Sequence, residues 1–302
     1  MKVSSPPWLV VAALALIWTF ATACNSAGPS SGEAREEAAT PTPRGPQPTG
    51  YVLDVAVDRT NGWTRAPLSA LSAQAAHEAG AFLGCCIGIA VAFPEEGVVY
   101  ELNGRDTFEA LSVGKVPLML TMIDNAIDED RDLTPEERVI ISAMITQSDN
   151  AAADAAWNMA GGERKVTALL ESAGATDGRV GGENWGEMRL SAFDAAVLLA
   201  EVVDGRLLDE GGRDTALSAM AEVVPWQGWG AGVGVADGAI AGVKNGWYLE
   251  PEGWAVHSLA YLIPDEGSPY TVSIFSLGMS DFYAAVAAIE AIARYAHHDI
   301  AN

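Results

Sequence analysis

The sequence predicts an α/β (α+β) fold: an antiparallel five-stranded sheet flanked by N- and C-terminal helices, with an all-helical lobe inserted into it. Three observations lead there. Apolar runs of strand length fall in two groups, 87–93 and 98–101 early, then 239–248, 254–263 and 270–277 late. Between the groups, more than a hundred residues carry helical periodicity, caps and glycine stops. Helical stretches also precede the first strands and follow the last, so one sheet takes its two halves from both ends of the folded segment.

In chain order, residues 1–23 place Lys2 and an apolar run over 9–18 ahead of small residues, the pattern of an export signal. That run is shorter than a membrane span requires, which leaves an uncleaved anchor as the lesser alternative. Ala21-Thr22-Ala23-Cys24 resembles a bacterial lipobox, with Ala where Leu is preferred, and the resemblance implies lipidation of Cys24. Residues 24–50 hold Pro, Ser, Thr and Gly with almost no large apolar side chains, cannot offset the entropy of folding, and read as a disordered tether to a domain over 51–302. The domain is thus expected outside the cytoplasm, anchored on the outer face of the bacterial membrane or secreted.

Within the domain, the pattern of Leu68, Leu71, Ala75 and Ala79 predicts a helix over 66–81. Cys85 and Cys86 follow; adjacent cysteines make a strained disulfide, and they read as two small apolar residues entering the strand at 87. Pro94-Glu95-Glu96-Gly97 turns the chain into the return strand. Thr134-Pro135-Glu136-Glu137 is a capping box that launches a helix. Helices over 151–160 and 163–173 stop at Gly161-Gly162 and Gly174, Ser191 caps one over 193–203, and another spans 214–223. Pro251-Glu252-Gly253 and Pro264-Asp265-Glu266-Gly267 separate the late strands, and a helix over 282–297 closes the chain.

Of the 302 residues, 49% are hydrophobic, enough for a substantial core. The balance of 17 basic to 40 acidic residues, net −23, offers no basic stripe and excludes nucleic acid as a partner. A monomer is expected. The four histidines, His77, His257, His297 and His298, show no metal spacing, the last two near an exposed C-terminus, and no residue calls for a cofactor. Val113-Gly114-Lys115 looks like the end of a phosphate loop, but position 109 is Glu where that loop needs Gly. No Gly-x-Ser-x-Gly elbow is present.

The chemistry is carried by Ser112 and Lys115. If a helix begins here, residues i and i+3 share a face and the amine can reach the hydroxyl. Lysine can act as a base once burial or neighbouring charge removes its proton; arginine cannot. The chain contains only four lysines, Lys2, Lys115, Lys165 and Lys244, against thirteen arginines. Two further polar clusters follow: Ser148-Asp149-Asn150 in a break between helices, and Lys244-Asn245-Gly246-Trp247 on the first late strand. Of the tryptophans at 185, 226, 229, 247 and 254, most read as core or cleft wall rather than a sugar platform, with Trp247 lining the site.

Taken in order, Ser-x-x-Lys, Ser-Asp-Asn and Lys-x-Gly resemble the class A β-lactamases and penicillin-binding proteins, and the element order over 67–298 follows that family. The resemblance implies Ser112 as acylated nucleophile, Lys115 as the group that takes or relays its proton, and Ser148 as donor to the leaving nitrogen. It implies that Asn150 holds Lys115 and the substrate amide, and that Lys244 and Asn245 recognise the substrate carboxylate. It further implies that the N–H groups of Ser112 and Trp247 form the oxyanion hole and that Gly246 allows close backbone approach.

Three departures stand out. Asn245 replaces the usual Thr or Ser. The 36 residues from Ser112 to Ser148 are fewer than in typical class A enzymes. The stretch 179–187 lacks the Glu-x-x-Leu-Asn whose glutamate positions the deacylating water, leaving Glu183 and Glu187 as candidates beside the reading that they are solvated loop carboxylates. Hydrolysis of β-lactams by an exported serine hydrolase is therefore expected. The alternatives are a D-alanyl peptidase acting on cell-wall peptides and a lipoprotein that binds or senses penicillins without turnover.

Overall fold

A computed structural model describes residues 59–60, 62–80 and 86–301, all within one compact unit, Leu53–Asn302. The segments expected as export signal and tether, with Cys24, and Cys85 lie outside the described residues.

Two short strands, β1 (Arg59–Thr60) and β2 (Trp63–Pro67), lead into helices α1 (Leu68–Leu71) and α2 (Ala73–Gly80). The single helix expected over 66–81 is thus divided, and Ser72 divides it. Its backbone is extended (φ −145°, ψ 107°), and its Oγ accepts from the Ala75 N–H at 3.0 Å, capping the second helix instead of prolonging the first.

The early hairpin is β3 (Cys86–Phe93) and β4 (Val98–Leu102), with Cys86 exposed at its start. After β5 (Thr107–Glu109), a 3-10 turn over Leu111–Gly114 runs into α3 (Lys115–Asp128). Helices α4 (Pro135–Thr146), α5 (Asn150–Ala160) and α6 (Gly162–Ser172) build the lobe. The Thr134–Glu137 capping box forms in both directions, at 3.2 and 2.7 Å, and Gly161 at φ 87° ends α5.

Strand β6 (Arg189–Ser191) then pairs with β5 as a separate two-stranded ribbon, too short to show a pattern in sequence. Next come α7 (Ala192–Val203), capped by Ser191, and α8 (Glu210–Ala221). The latter starts four residues before the expected 214, because Asp209 Oδ1 accepts from the Gly212 N–H at 2.7 Å and caps it there. The tail is β7 (Ile240–Glu250), β8 (Gly253–Ile263), β9 (Tyr270–Met279) and α9 (Phe282–Ile300).

The large sheet has the order β1-β2-β4-β3-β9-β8-β7. Its five long strands, β4 to β7 in that order, are antiparallel as expected. The strand count is the correction: β1 and β2 extend the far edge, β2 lying parallel to β4.

Both faces of the sheet are covered. Ala90, Ala92, Leu259, Tyr261 and Phe275 point into one core with α3–α8, and Ile89, Val91, Val256, Leu262 and Ile274 into a second core with α1, α2 and α9. A sheet buried on both sides needs apolar residues at every position, which is why its strands read as continuous apolar runs rather than alternating ones. His297, expected near an exposed terminus, is instead buried on α9, where it joins the Tyr270 hydroxyl at 2.9 Å and Ala231 O at 2.8 Å. Among the described residues, no helix is long and apolar enough to cross a membrane.

Candidate active site

Strand β7 ends the sheet order, so one of its edges is open, and the 3-10 turn carrying Ser112 abuts it. The fit at Gly246 is tight. A Cβ there would come within 2.8 Å of Ser112 N and 2.9 Å of Leu111 Cβ, so only glycine lets strand and turn close up. Leu111 itself holds φ 49°, an uncommon conformation for leucine that turns the chain sharply just before Ser112.

Lys115, first residue of α3, is fully buried. Its Nζ donates to Ser148 O at 2.7 Å, Ser148 Oγ at 3.2 Å and Asn150 Oδ1 at 2.6 Å. These three partners use all three ammonium hydrogens. Ser112 Oγ is not among them, so the direct reach suggested by the i, i+3 spacing is not made in this state; the ammonium has turned to the stronger acceptors of the 148–150 segment. Burial brings the Lys115 amine down from 10.5 to about 8, against Asp149 and Asp154, which favour its charged form.

From the other side, Lys244 reaches the same hydroxyl, donating to Ser148 Oγ and to Asn245 O, each at 2.9 Å. Lys244 is also fully buried, and desolvation followed by repulsion from Lys115 lowers its pKa. Ser148 stands between two amines at φ 59°, a left-handed conformation that turns its side chain toward both. With its lone pairs engaged by two donors, its own O–H hydrogen is available to a third group.

Because Asn245 O accepts from Lys244 Nζ, that carbonyl is turned to the open edge of β7. The two-residue repeat of a strand turns the Trp247 N–H the same way, beside Ser112 N across Gly246. Two N–H groups at the mouth of one narrow gap can stabilise a developing oxyanion.

The strand repeat separates Asn245 from its neighbours. Its buried side chain points away from the Lys244 face, and Nδ2 donates to Gln227 O at 2.9 Å and Trp229 O at 2.8 Å. It fastens the 225–230 loop, with both amide hydrogens engaged there rather than turned toward Ser148. The Trp247 ring lies on that outer face too, packed on Trp226, Trp229 and Phe282. Trp247 therefore contributes its backbone rather than its indole to the cleft.

The short loop over 179–188 is clasped at its base by paired Arg179 and Arg189 backbone groups at 2.9 and 2.8 Å. Upstream, Asp177 accepts from Arg105 Nε at 2.8 and 2.9 Å, and the buried Asp194 carboxylate takes the N–H groups of Asp177 and Gly178 at 3.0 and 2.7 Å. Gly181 closes the loop against Glu187, whose Cβ would lie 2.0 Å from a Cβ at 181. Glu187 binds Asn184 Nδ2 at 3.0 Å, and both it and Glu183 are exposed. Among the described residues, neither carboxylate bonds to Ser112, Lys115 or Ser148; the loop side chain that reaches Lys115 is Trp185, its ring 4.9 Å from Nζ.

Three supporting residues escaped the sequence reading. Asp154 accepts from Trp185 Nε1 at 2.8 Å, and its i+4 spacing from Asn150 is the signal that could have found it. Gln227, fully buried, donates to Gln147 O at 3.0 Å and braces the end of α4. His257 on β8 stacks on Phe275 and touches Glu109 O at 2.9 Å and the Ser276 N–H at 3.3 Å. The first contact requires an Nε2 donor and the second an Nδ1 acceptor, so the ring is neutral, and burial lowers its pKa to about 4. It pins the segment that delivers Ser112. Among the described residues, no group of three or more His, Cys, Asp or Glu side chains is arranged to hold a metal ion.

The layered sheet with its inserted helical lobe is the fold of β-lactamases and penicillin-binding serine hydrolases. Residues 132–300, more than half of the chain, match the beta-lactamase enzyme family, and the chain belongs to that family. The match takes in Ser148 and Lys244; Ser112 and Lys115 lie upstream of it, Lys115 hydrogen-bonded to Ser148 and Ser112 seated against Gly246 of β7. Among solved structures, a mutant of PBP-A captured as an acyl-enzyme complex with penicillin G is similar at 19% identity and a TM-score of 0.65, over 77% of this chain and 97% of that one. A β-lactamase from Chitinophaga pinensis is similar at 20% identity and 0.67, over 76% and 98%. The TLA-1 extended spectrum β-lactamase gives 15% identity and 0.68, over 78% and 100%. No curated protein sequence matches the chain.

Proposed function

We propose that this chain is an exported serine acyl-hydrolase that opens β-lactams through an ester on Ser112. The observation that carries the reading is the line Lys115–Ser148–Lys244, two buried amines meeting on one hydroxyl beside the Ser112–Gly246 contact. In acylation, Ser112 Oγ attacks the lactam carbonyl, and its proton passes to the neutral Lys115 amine. Negative charge on the carbonyl oxygen meets the N–H groups of Ser112 and Trp247. As the C–N bond breaks, the nitrogen takes the Ser148 hydrogen, which Lys115 or Lys244 replaces. Water then cleaves the ester and restores Ser112. Asn150, exposed and with its Oδ1 on Lys115, has an NH2 group to offer the substrate side-chain amide, and Lys244 supplies positive charge for its carboxylate.

The same acyl-serine chemistry serves a D-alanyl peptidase or a penicillin-binding lipoprotein with slow turnover. The second of these is favoured by the 179–188 loop, which sets an indole rather than a carboxylate against Lys115. Intact mass of the full chain incubated with benzylpenicillin separates the readings. A lasting mass increase that vanishes in Ser112→Ala supports slow turnover, and rapid loss of antibiotic with no adduct supports a β-lactamase. If neither appears at any pH, β-lactams are not substrates.

The lipobox-like segment supports anchoring through Cys24. Wild type should then sediment with membranes and Cys24→Ala should not; equal release of both would end that idea.

A further inference from the structure

One neighbour of Lys115 has no part in the acylation scheme. Resting on the reading of Ser112 and Lys115 as nucleophile and base, we propose that Trp185 is a positioning residue, latched by Asp154, whose indole keeps water off Lys115 and so makes that amine available as a base near neutral pH.

The geometry is a closed frame. Asn150 and Asp154 lie one turn apart on α5; the first accepts from Lys115 Nζ at 2.6 Å and the second from Trp185 Nε1 at 2.8 Å. The Trp185 ring is 4.9 Å from the same Nζ. The loop that delivers it is clasped by Arg179 and Arg189 and turns Glu183 and Glu187 outward. One helix face therefore fixes both the amine and the ring above it.

The groups facing Lys115 are Lys244 from β7, Ser148, Asp149, Asn150 and Asp154 from the start of α5, and Trp185 from the loop. Asp149 and Asp154 favour the ammonium of Lys115, and the repulsion between the two amines falls on Lys244, whose pKa it lowers. An aromatic face attracts a cation, yet the same ring displaces the water that would solvate it. Burial is the largest effect on Lys115, the indole is part of the cover over its Nζ, and in this proposal its exclusion of water outweighs its attraction for the cation.

The test reads Lys115 directly. With four lysines in the chain, 13C-lysine NMR of the full protein resolves each titration, and Lys115→Arg assigns the signal. In Trp185→Ala the midpoint should rise by about one pH unit, and acylation by benzylpenicillin at pH 7 should fall about tenfold, with the high-pH limiting rate retained. Asp154→Asn keeps an acceptor for the indole and removes a charge, so its midpoint should fall; Asp154→Ala also releases the latch, so its midpoint should lie above that of Asp154→Asn. An unchanged midpoint in Trp185→Ala, or coincident midpoints for the two Asp154 variants, overturns the proposal. Should Trp185→Ala fail to fold, the Asp154 pair decides alone. If wild type is never acylated, the functional reading fails, while the NMR titration still judges the role of Trp185.

Discussion

Lys115 and Lys244 share a single acceptor, Ser148 Oγ, at 3.2 and 2.9 Å. Burial lowers the pKa of both amines, and repulsion from Lys115 lowers that of Lys244 further, with the shared hydroxyl accepting from each. Ser148→Ala removes it. The charged form of Lys115 then loses one acceptor, and its titration midpoint should fall below about 8. Acylation should nevertheless slow by about a hundredfold, because the leaving nitrogen has lost its proton donor. Stopped-flow acylation across pH reads both effects; a Ser148→Ala rate within a few-fold of wild type would contradict the donor role.

Replacing Lys115 with arginine should be nearly as damaging as replacing it with alanine. Acylation needs the neutral amine, so the wild-type rate should climb with pH through about 8 and level off above it. A guanidinium stays charged throughout and brings a larger fork into a fully buried site. The rate ratio at pH 7 is the measurement, and near-equality of Lys115→Arg with wild type would remove lysine as the base.

Asn245 should matter to stability. Asn245→Ala strands the carbonyls of Gln227 and Trp229, each of which costs about 1–3 kcal/mol when left unpaired in a buried place. Asn245→Thr cannot span both acceptors and should lose stability in the same direction. Urea unfolding of the three proteins measures this. A stability unchanged within about 0.5 kcal/mol in Asn245→Ala would show that the loop does not depend on the amide.

His257 predicts a pH dependence of folding. Its folded pKa, about 4, lies below the unfolded value of 6.5, so the unfolded chain binds the proton first. The stability that His257 contributes is complete above 6.5 and is lost as pH falls toward 4, by about 3 kcal/mol at most. His297, also lowered by burial, acts in the same direction. His257→Gln can still donate to Glu109 O but does not titrate, so its stability should fall less steeply between pH 7 and pH 4. Identical slopes in the two proteins would count against a neutral His257.

Much of this was legible in the chain because the residues concerned act through local pattern. Ser112, Lys115, Ser148 and Lys244 stand in recognisable triplets, and the Thr134 and Ser191 caps signal helix starts within a few residues of themselves. What escaped depends on partners far away in sequence. Nothing near Asn245 says that Gln227 and Trp229 will come to it, and nothing near His257 reveals that it meets Glu109, 148 residues away. The loop side chains are likewise placed by distant partners. Glu183 and Glu187 were plausible by charge, but the clasp at Arg179 and Arg189 determines which side chain faces inward, and it selects Trp185. The sheet edge is hard to read because β1 is two residues long and β2, Trp-Thr-Arg-Ala-Pro, has no apolar run of the kind that marks β4.

The position of β9 bears on how the cleft comes into being. It lies between β3 and β8, so within the sheet the early hairpin that leads to Ser112 and the late strands that carry Lys244 are hydrogen-bonded to one another through a strand made after both. A chain cut short before Tyr270 would contain every residue assigned here to chemistry and still lack the seam that aligns them. Pairing of the last strand, rather than synthesis of any polar side chain, is then the event that brings Ser112 and Lys244 into register, and pairings of this span make it a late step in folding.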